Sequence, residues 1–246
     1  MCTVIVEVPA DPRHAARLLA VRDEDPARPW DAPGPWWPSA HPGVIGVRDR
    51  RADGAWLAAD RGAGRLAVIL NRAEEVVSAD GGPLASRGGI VLDSVAGTPP
   101  QDPPATAAFN LIEAHGASVS MTSWNGSELR RERLSPGIHM VAHHELDDPR
   151  TPRIVRWRPA FEALASTGDP ALPFREWSAE WIAALARSSE LDPADDRAII
   201  RDNSAHGFPT LSLLACVAEV REHGLELASA PLAEPGRWGD PAFTPA

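Results

Sequence analysis

Met1-Cys2-Thr3-Val4-Ile5-Val6-Glu7-Val8 opens the chain, and its reading decides how the remainder is understood. Every residue from Thr3 to Val8 except Glu7 is β-branched, which predicts a strand beginning at the chain start. A terminal residue usually frays, whereas one that opens a sheet strand is held in place. Because the Cys2 side chain is small, processing is expected to remove Met1 and leave a thiol and an α-amine on one residue. A thiol attacks as thiolate, so it needs a base, and an α-amine with an ordinary pKa of about 7.7–8.0 is one. Position alone is weak support, since a cysteine next to the initiator methionine also arises by accident.

The composition bounds the alternatives. With 246 residues, 43% of them hydrophobic, the chain is long enough for a substantial core. A formal net charge of −10 argues against nucleic acid or an anionic membrane surface as the main partner. No apolar run approaches the roughly 18–20 residues a membrane span needs, and nothing at the start resembles a signal peptide. Two cysteines, Cys2 and Cys216, make no disulfide framework, so a reducing cytoplasm is expected, and Cys216 in an apolar run reads as a core thiol. All 24 basic residues are arginine, a bias that, with abundant Ala, Pro, Asp and Gly, points to a bacterium with GC-rich DNA. The absence of lysine excludes a Schiff-base lysine, a serine–lysine dyad and a Walker-type phosphate loop. There is no Gly-x-Ser-x-Gly elbow and no dinucleotide fingerprint. His139, His143, His144 and Glu145 are not expected to hold a metal, because adjacent residues on a strand face opposite ways. Neither metal nor cofactor is expected.

Strand-like segments recur at 18–23, 43–47, 55–59 and 66–71, and again at 106–114, 118–124, 129–134 and 138–142, with Asn125-Gly126 as a hairpin signal. A short helix is expected over 87–96. Residues 151–165 and 174–187 carry helical spacing, with Trp177 and Trp181 one turn apart, and strand patterning returns at 210–217 and 225–230. Residues 25–42, dense in proline and holding Trp30, Trp36 and Trp37, read as a long ordered loop that either covers a site, which makes Trp37 a candidate substrate-binding residue, or packs its tryptophans on the core. Strands, then helices, then strands without a linker predict one α+β layered domain over 1–246.

Arg22-Asp23-Glu24 ends the second predicted strand. If that strand pairs with the first, a charged pair lies beside Cys2: an aspartate suited to bind the amine, and an arginine suited to lower the thiol pKa or to bind a substrate carboxylate. Here the chain resembles the NRDE family, also called the transport and Golgi organisation 2 family. The resemblance runs in order through Met1-Cys2-Thr3, Ala20-Val21-Arg22-Asp23-Glu24, Gly54-Ala55-Trp56-Leu57, Leu70-Asn71-Arg72, Arg87-Gly88-Gly89-Ile90-Val91 and Phe109-Asn110-Leu111-Ile112, and covers residues 1–145. It implies a four-layer αββα sandwich of the N-terminal nucleophile hydrolase type, more remotely similar to cholylglycine hydrolases and penicillin V acylases. Carried over by position, Cys2 is the nucleophile, its amine the base, Arg22 and Asp23 flank them, and Asn71 is a candidate oxyanion donor.

Three departures stand out. Val21 replaces the leading Asn of the family motif, Ala142-His143 stands where the family has Ser-Asn, and Gly207-Phe208-Pro209-Thr210 puts Pro209 in place of an arginine. His143 is therefore a second candidate donor and substrate contact. The expected function is cleavage of an amide or acyl bond of a small metabolite through a Cys2 acyl-enzyme. The alternative is a non-catalytic binding or trafficking protein for an apolar ligand such as haem or acyl-CoA.

Overall fold

The structure, a computed structural model, describes residues 2–78 and 81–246; Met1, on whose removal the reading of Cys2 turns, lies outside them, as do Ala79 and Asp80. Among these residues the strands are β1 (Thr3–Val8), β2 (Ala16–Glu24), β3 (Trp30–Gly34), β4 (Val44–Asp49), β5 (Gly54–Asp60), β6 (Arg65–Asn71), β7 (Phe109–His115), β8 (Ser118–Trp124), β9 (Leu129–Arg133), β10 (Gly137–Val141), β11 (Leu211–Arg221), β12 (Gly224–Pro231) and β13 (Thr244–Pro245). They form two antiparallel sheets, ordered β10-β1-β2-β11-β12-β13 and β3-β4-β5-β6-β7-β8-β9. Helix α1 (Gly88–Val95) packs on β4 to β7, while α2 (Pro152–Thr167) and α3 (Phe174–Ser188) cover the other sheet, giving the four-layer αββα sandwich. No helix among the described residues is long and apolar enough to cross a membrane.

Two-residue alternation builds both interfaces of the first sheet. Val4, Val6 and Val8 of β1, Leu18 and Ala20 of β2, and Leu214, Cys216 and Ala218 of β11 point between the sheets. Ile5, Leu19, Val21, Ala215 and Val217 point the other way, onto Trp157, Phe161, Trp177 and Trp181 of the helices. Val21 therefore fills the helix-facing core, so its departure from the family's Asn falls on the opposite face of β2 from Arg22. Cys216 is fully buried opposite Ala20, as a core thiol.

Residues 25–42 differ from the expected irregular loop, because Trp30–Gly34 pairs with β4 as an edge strand with a break in register between Asp31 and Gly34. Pro33 is tolerated because an edge strand with an irregularity has no ladder bond to lose there. Asp31 fastens the edge by accepting from Arg48 Nε at 2.8 Å and Arg50 Nε at 2.7 Å.

The two sheets are tied beside the end of β10. Asn110 of β7 donates through Nδ2 to the carbonyls of Ala142 at 3.3 Å and His144 at 2.6 Å, and its Oδ1 accepts from Arg72 at 2.9 Å. These bonds draw the chain out of the ladder after Val141, so His143 and His144 lie in a bend with ring centroids 4.2 Å apart, not on opposite faces of a strand. No group of three or more His, Cys, Asp or Glu able to hold a metal ion occurs among the described residues.

Helix α1 meets β5 through two glycines that have no room for a side chain. A Cβ on Gly54 would stand 2.6 Å from the Gly88 Cα, and one on Gly88 would stand 2.7 Å from the Gly54 Cα. This contact fixes where Arg87, at the helix start, presents its side chain. Gly54→Ala or Gly88→Ala is expected to destabilise the fold by about 1–3 kcal/mol through overpacking, and the double variant by less than the sum, because the two share one contact. Denaturant midpoints measure this, and unchanged midpoints would refute the close approach.

Candidate active site

Cys2 stands at the head of β1, where the register Thr3↔Val21 runs toward Arg22 and Asp23 of β2. Its side chain is buried, and the thiol is seated on the backbone of Asp23. The Asp23 N–H donates to Sγ at 3.4 Å, and Sγ lies 3.5 Å from the Asp23 carbonyl oxygen. Burial first, and the Asp23 charge second, push the thiol pKa above its ordinary value. Unassisted, this thiol stays protonated at neutral pH.

The Asp23 carboxylate is locked from the far end of the chain. Ser212 Oγ donates to Oδ1 at 2.6 Å and Asn203 Nδ2 to Oδ2 at 3.3 Å. Each clamp is itself held: Ser212 Oγ accepts the Arg201 N–H at 2.8 Å, and Asn203 Oδ1 accepts Arg201 Nε at 3.0 Å. Ser212 reaches this position because the β2–β11 register shifts between Ser212 and Leu214. Arg153 of α2 donates to Thr3 Oγ1 at 3.0 Å, and its pKa is pushed down to about 10 by burial and by Arg201. Arg153, which interacts electrostatically with Asp23 and with Arg201, thus supplies positive charge beside the carboxylate.

On the inner face of β2, Arg22 is buried and donates through Nη2 to Glu24 Oε2 at 3.3 Å. Its guanidinium lies over Trp30, 5.6 Å from the ring centroid, and burial lowers its pKa. Arg22, Glu24, Asp49, Trp56, Asn71 and Arg87 line a cavity of about 380 Å³. Arg22 and Arg87 both interact electrostatically with the Cys2 thiol.

The residues singled out in the sequence therefore separate into groups. Cys2, Arg22 and Asp23 come together, and Asn71, exposed at the end of β6, lines the same cavity as Arg22. Trp37 does not line it: it is buried on the α1-facing side of the second sheet against Gly46 and donates through Nε1 to the Asp53 carbonyl at 2.8 Å. Trp30, one strand nearer to β2's end, is the tryptophan that touches Arg22. His143 lies on the Arg153 side, where burial, then Arg153, then His144 push its pKa down to about 3, so it is neutral at pH 7. Asn203, Arg153, Arg201 and Trp56 were not marked as site residues in the sequence; Ser212, a buried serine opening an apolar strand, was the one with a visible signal.

Ser212→Ala strips the Asp23 carboxylate of its shortest donor and leaves the buried Arg201 N–H without its acceptor. The expected cost is about 1–3 kcal/mol, read as a lower denaturant midpoint at constant slope, whereas an unchanged midpoint would refute the clamp.

Comparison with known proteins adds the lineage. No curated protein sequence matches the chain. Among solved structures, an orthologue of N-acylethanolamine-hydrolyzing acid amidase from Caenorhabditis elegans is similar in fold, with a TM-score of 0.50, 10% sequence identity, and 88% of this chain and 92% of that chain covered. The family described as Transport and Golgi organisation 2 matches residues 1–206. The chain belongs to the transport and Golgi organisation 2 family, on an N-terminal nucleophile hydrolase-like fold.

Proposed function

We propose that the protein is an N-terminal-cysteine hydrolase that cleaves an amide or acyl bond of a small metabolite through an acyl-enzyme on Cys2. The observation that supports it most is the seating of the Cys2 thiol on the backbone of a residue whose carboxylate is itself clamped by Ser212 and Asn203. With Met1 removed, the α-amine of Cys2 takes the thiol proton, a role the thiol needs filled because burial and Asp23 hold it protonated. Sγ attacks the substrate carbonyl, and the tetrahedral oxyanion collapses. The amine returns the proton to the departing nitrogen or oxygen, leaving a thioester. Water, deprotonated by the same amine, hydrolyses the thioester and restores the thiol. Asn71 at the cavity rim is the candidate oxyanion donor, with neutral His143 as the second. The polar cavity lining favours this reading over carriage of an apolar ligand.

An electrophilic thiol probe followed by peptide mass mapping tests the proposal. Cys2 is expected to label in preference to Cys216, whose thiol is fully buried and pushed far up by that burial. Asp23→Asn, which keeps the shape of the side chain but removes the charge that helps hold the thiol protonated, is expected to speed Cys2 labelling. Equal labelling of the two cysteines, or a rate unmoved by Asp23→Asn in a folded variant, would contradict it.

A further inference from the structure

Two residues that line the cavity at Arg22 carry buried donors without acceptors. Arg22 is 3% exposed; Nη2 is engaged with Glu24, but Nη1 is buried with no hydrogen-bond partner. Trp56, 8% exposed, has a buried Nε1–H that is likewise unpartnered, and both residues line the cavity. An indole N–H and a guanidinium N–H can only donate, so neither can satisfy the other, and each left unpaired costs free energy.

The charge of the lining points the same way. Arg22, Arg28 and Arg87 face Glu24 and Asp49, three guanidinium groups against two carboxylates. Arg28 is spent on Asp49, 2.8 Å from its Nε, and on Glu24. Arg87 gives one N–H to the Ala108 carbonyl at 2.8 Å and makes no ion pair with a carboxylate among the described residues. The surplus positive charge and the idle donors therefore sit on Arg22, Trp56 and Arg87.

We propose that this cavity binds a carboxylate carried by the substrate, with one oxygen accepting from Arg22 Nη1 and the other from Trp56 Nε1, and with Arg87 supplying the balancing charge. The substrate class is then an N-acylated amino acid or a similar small amide bearing a carboxylate. The identification as a substrate rests on the Cys2 reading, whereas the binding itself does not.

Calorimetric titration with N-acetylglycine and with its neutral isostere N-acetylglycinamide separates the two. On the wild-type protein and on Cys2→Ala, the acid is expected to bind at least about tenfold tighter than the amide, the scale of one charge-assisted hydrogen bond. Trp56→Phe, which keeps the ring, is expected to weaken the acid and leave the amide unchanged; Arg22→Met is expected to abolish the preference, with circular dichroism confirming that it folds. Equal binding of acid and amide, no saturable heat for the acid at millimolar concentration, or a Trp56→Phe variant that binds the acid as the wild type does would overturn the proposal. Inorganic phosphate binding as tightly as the acid would overturn the choice of a carboxylate. If the acid binds Cys2→Ala while the wild-type Cys2 resists the thiol probe, the binding site stands and the nucleophile reading fails. If Cys2 labels while the acid does not bind, the reverse holds.

Discussion

Asp23 is held through both its backbone and its side chain. Its peptide N–H supports the Cys2 thiol, while its carboxylate accepts from Ser212 and Asn203 across more than half the length of the chain. A buried carboxylate in this position is tolerable only because every neighbouring group is itself fixed, Ser212 and Asn203 by Arg201 and the strand head by Arg153 on Thr3. The chain start is thereby anchored as firmly as a core strand, which is the condition for any chemistry at residue 2.

The pleat divides the labour. On β2, Arg22 faces the gap between the sheets and lines the cavity, whereas Val21 fills the helix-facing core. The thiol lies on the inner face of β1, while the groups that hold the Asp23 carboxylate come from the start of β11 and the segment preceding it. Val21 can differ from the family's asparagine without disturbing the cavity, because it belongs to the opposite face. Asn110 closes the arrangement from the second sheet by holding the bend that carries His143.

Much of this was legible in the order of residues. The β-branched run after Cys2, the alternation in the later strands and the tryptophans one turn apart at 177 and 181 all report burial periodicity, which local sequence records directly. The edge strand at Trp30–Gly34 was hidden because Pro33 speaks against a strand unless its position at the sheet edge is known. That Trp30 rather than Trp37 stands against Arg22 is illegible for a related reason: neither residue type nor spacing says which tryptophan the β3–β4 register turns toward Arg22. Asn203 and Arg153 were out of reach because they meet the site through contacts 180 and 150 positions away, and Arg201 because it acts through Asn203 and Ser212; long-range packing leaves no periodic trace. The bend at His143 depends on one side chain, Asn110, whose carbonyl partners cannot be read from the residues near it.

The proposed chemistry requires Cys2 to be the first residue of the working protein, since only then do a thiol and a free α-amine share the residue beside Asp23. The intact mass of the purified protein tests this most directly. The predicted mass is that of the chain beginning at Cys2; a protein that retains Met1 throughout would carry its amine on the wrong residue and contradict the account.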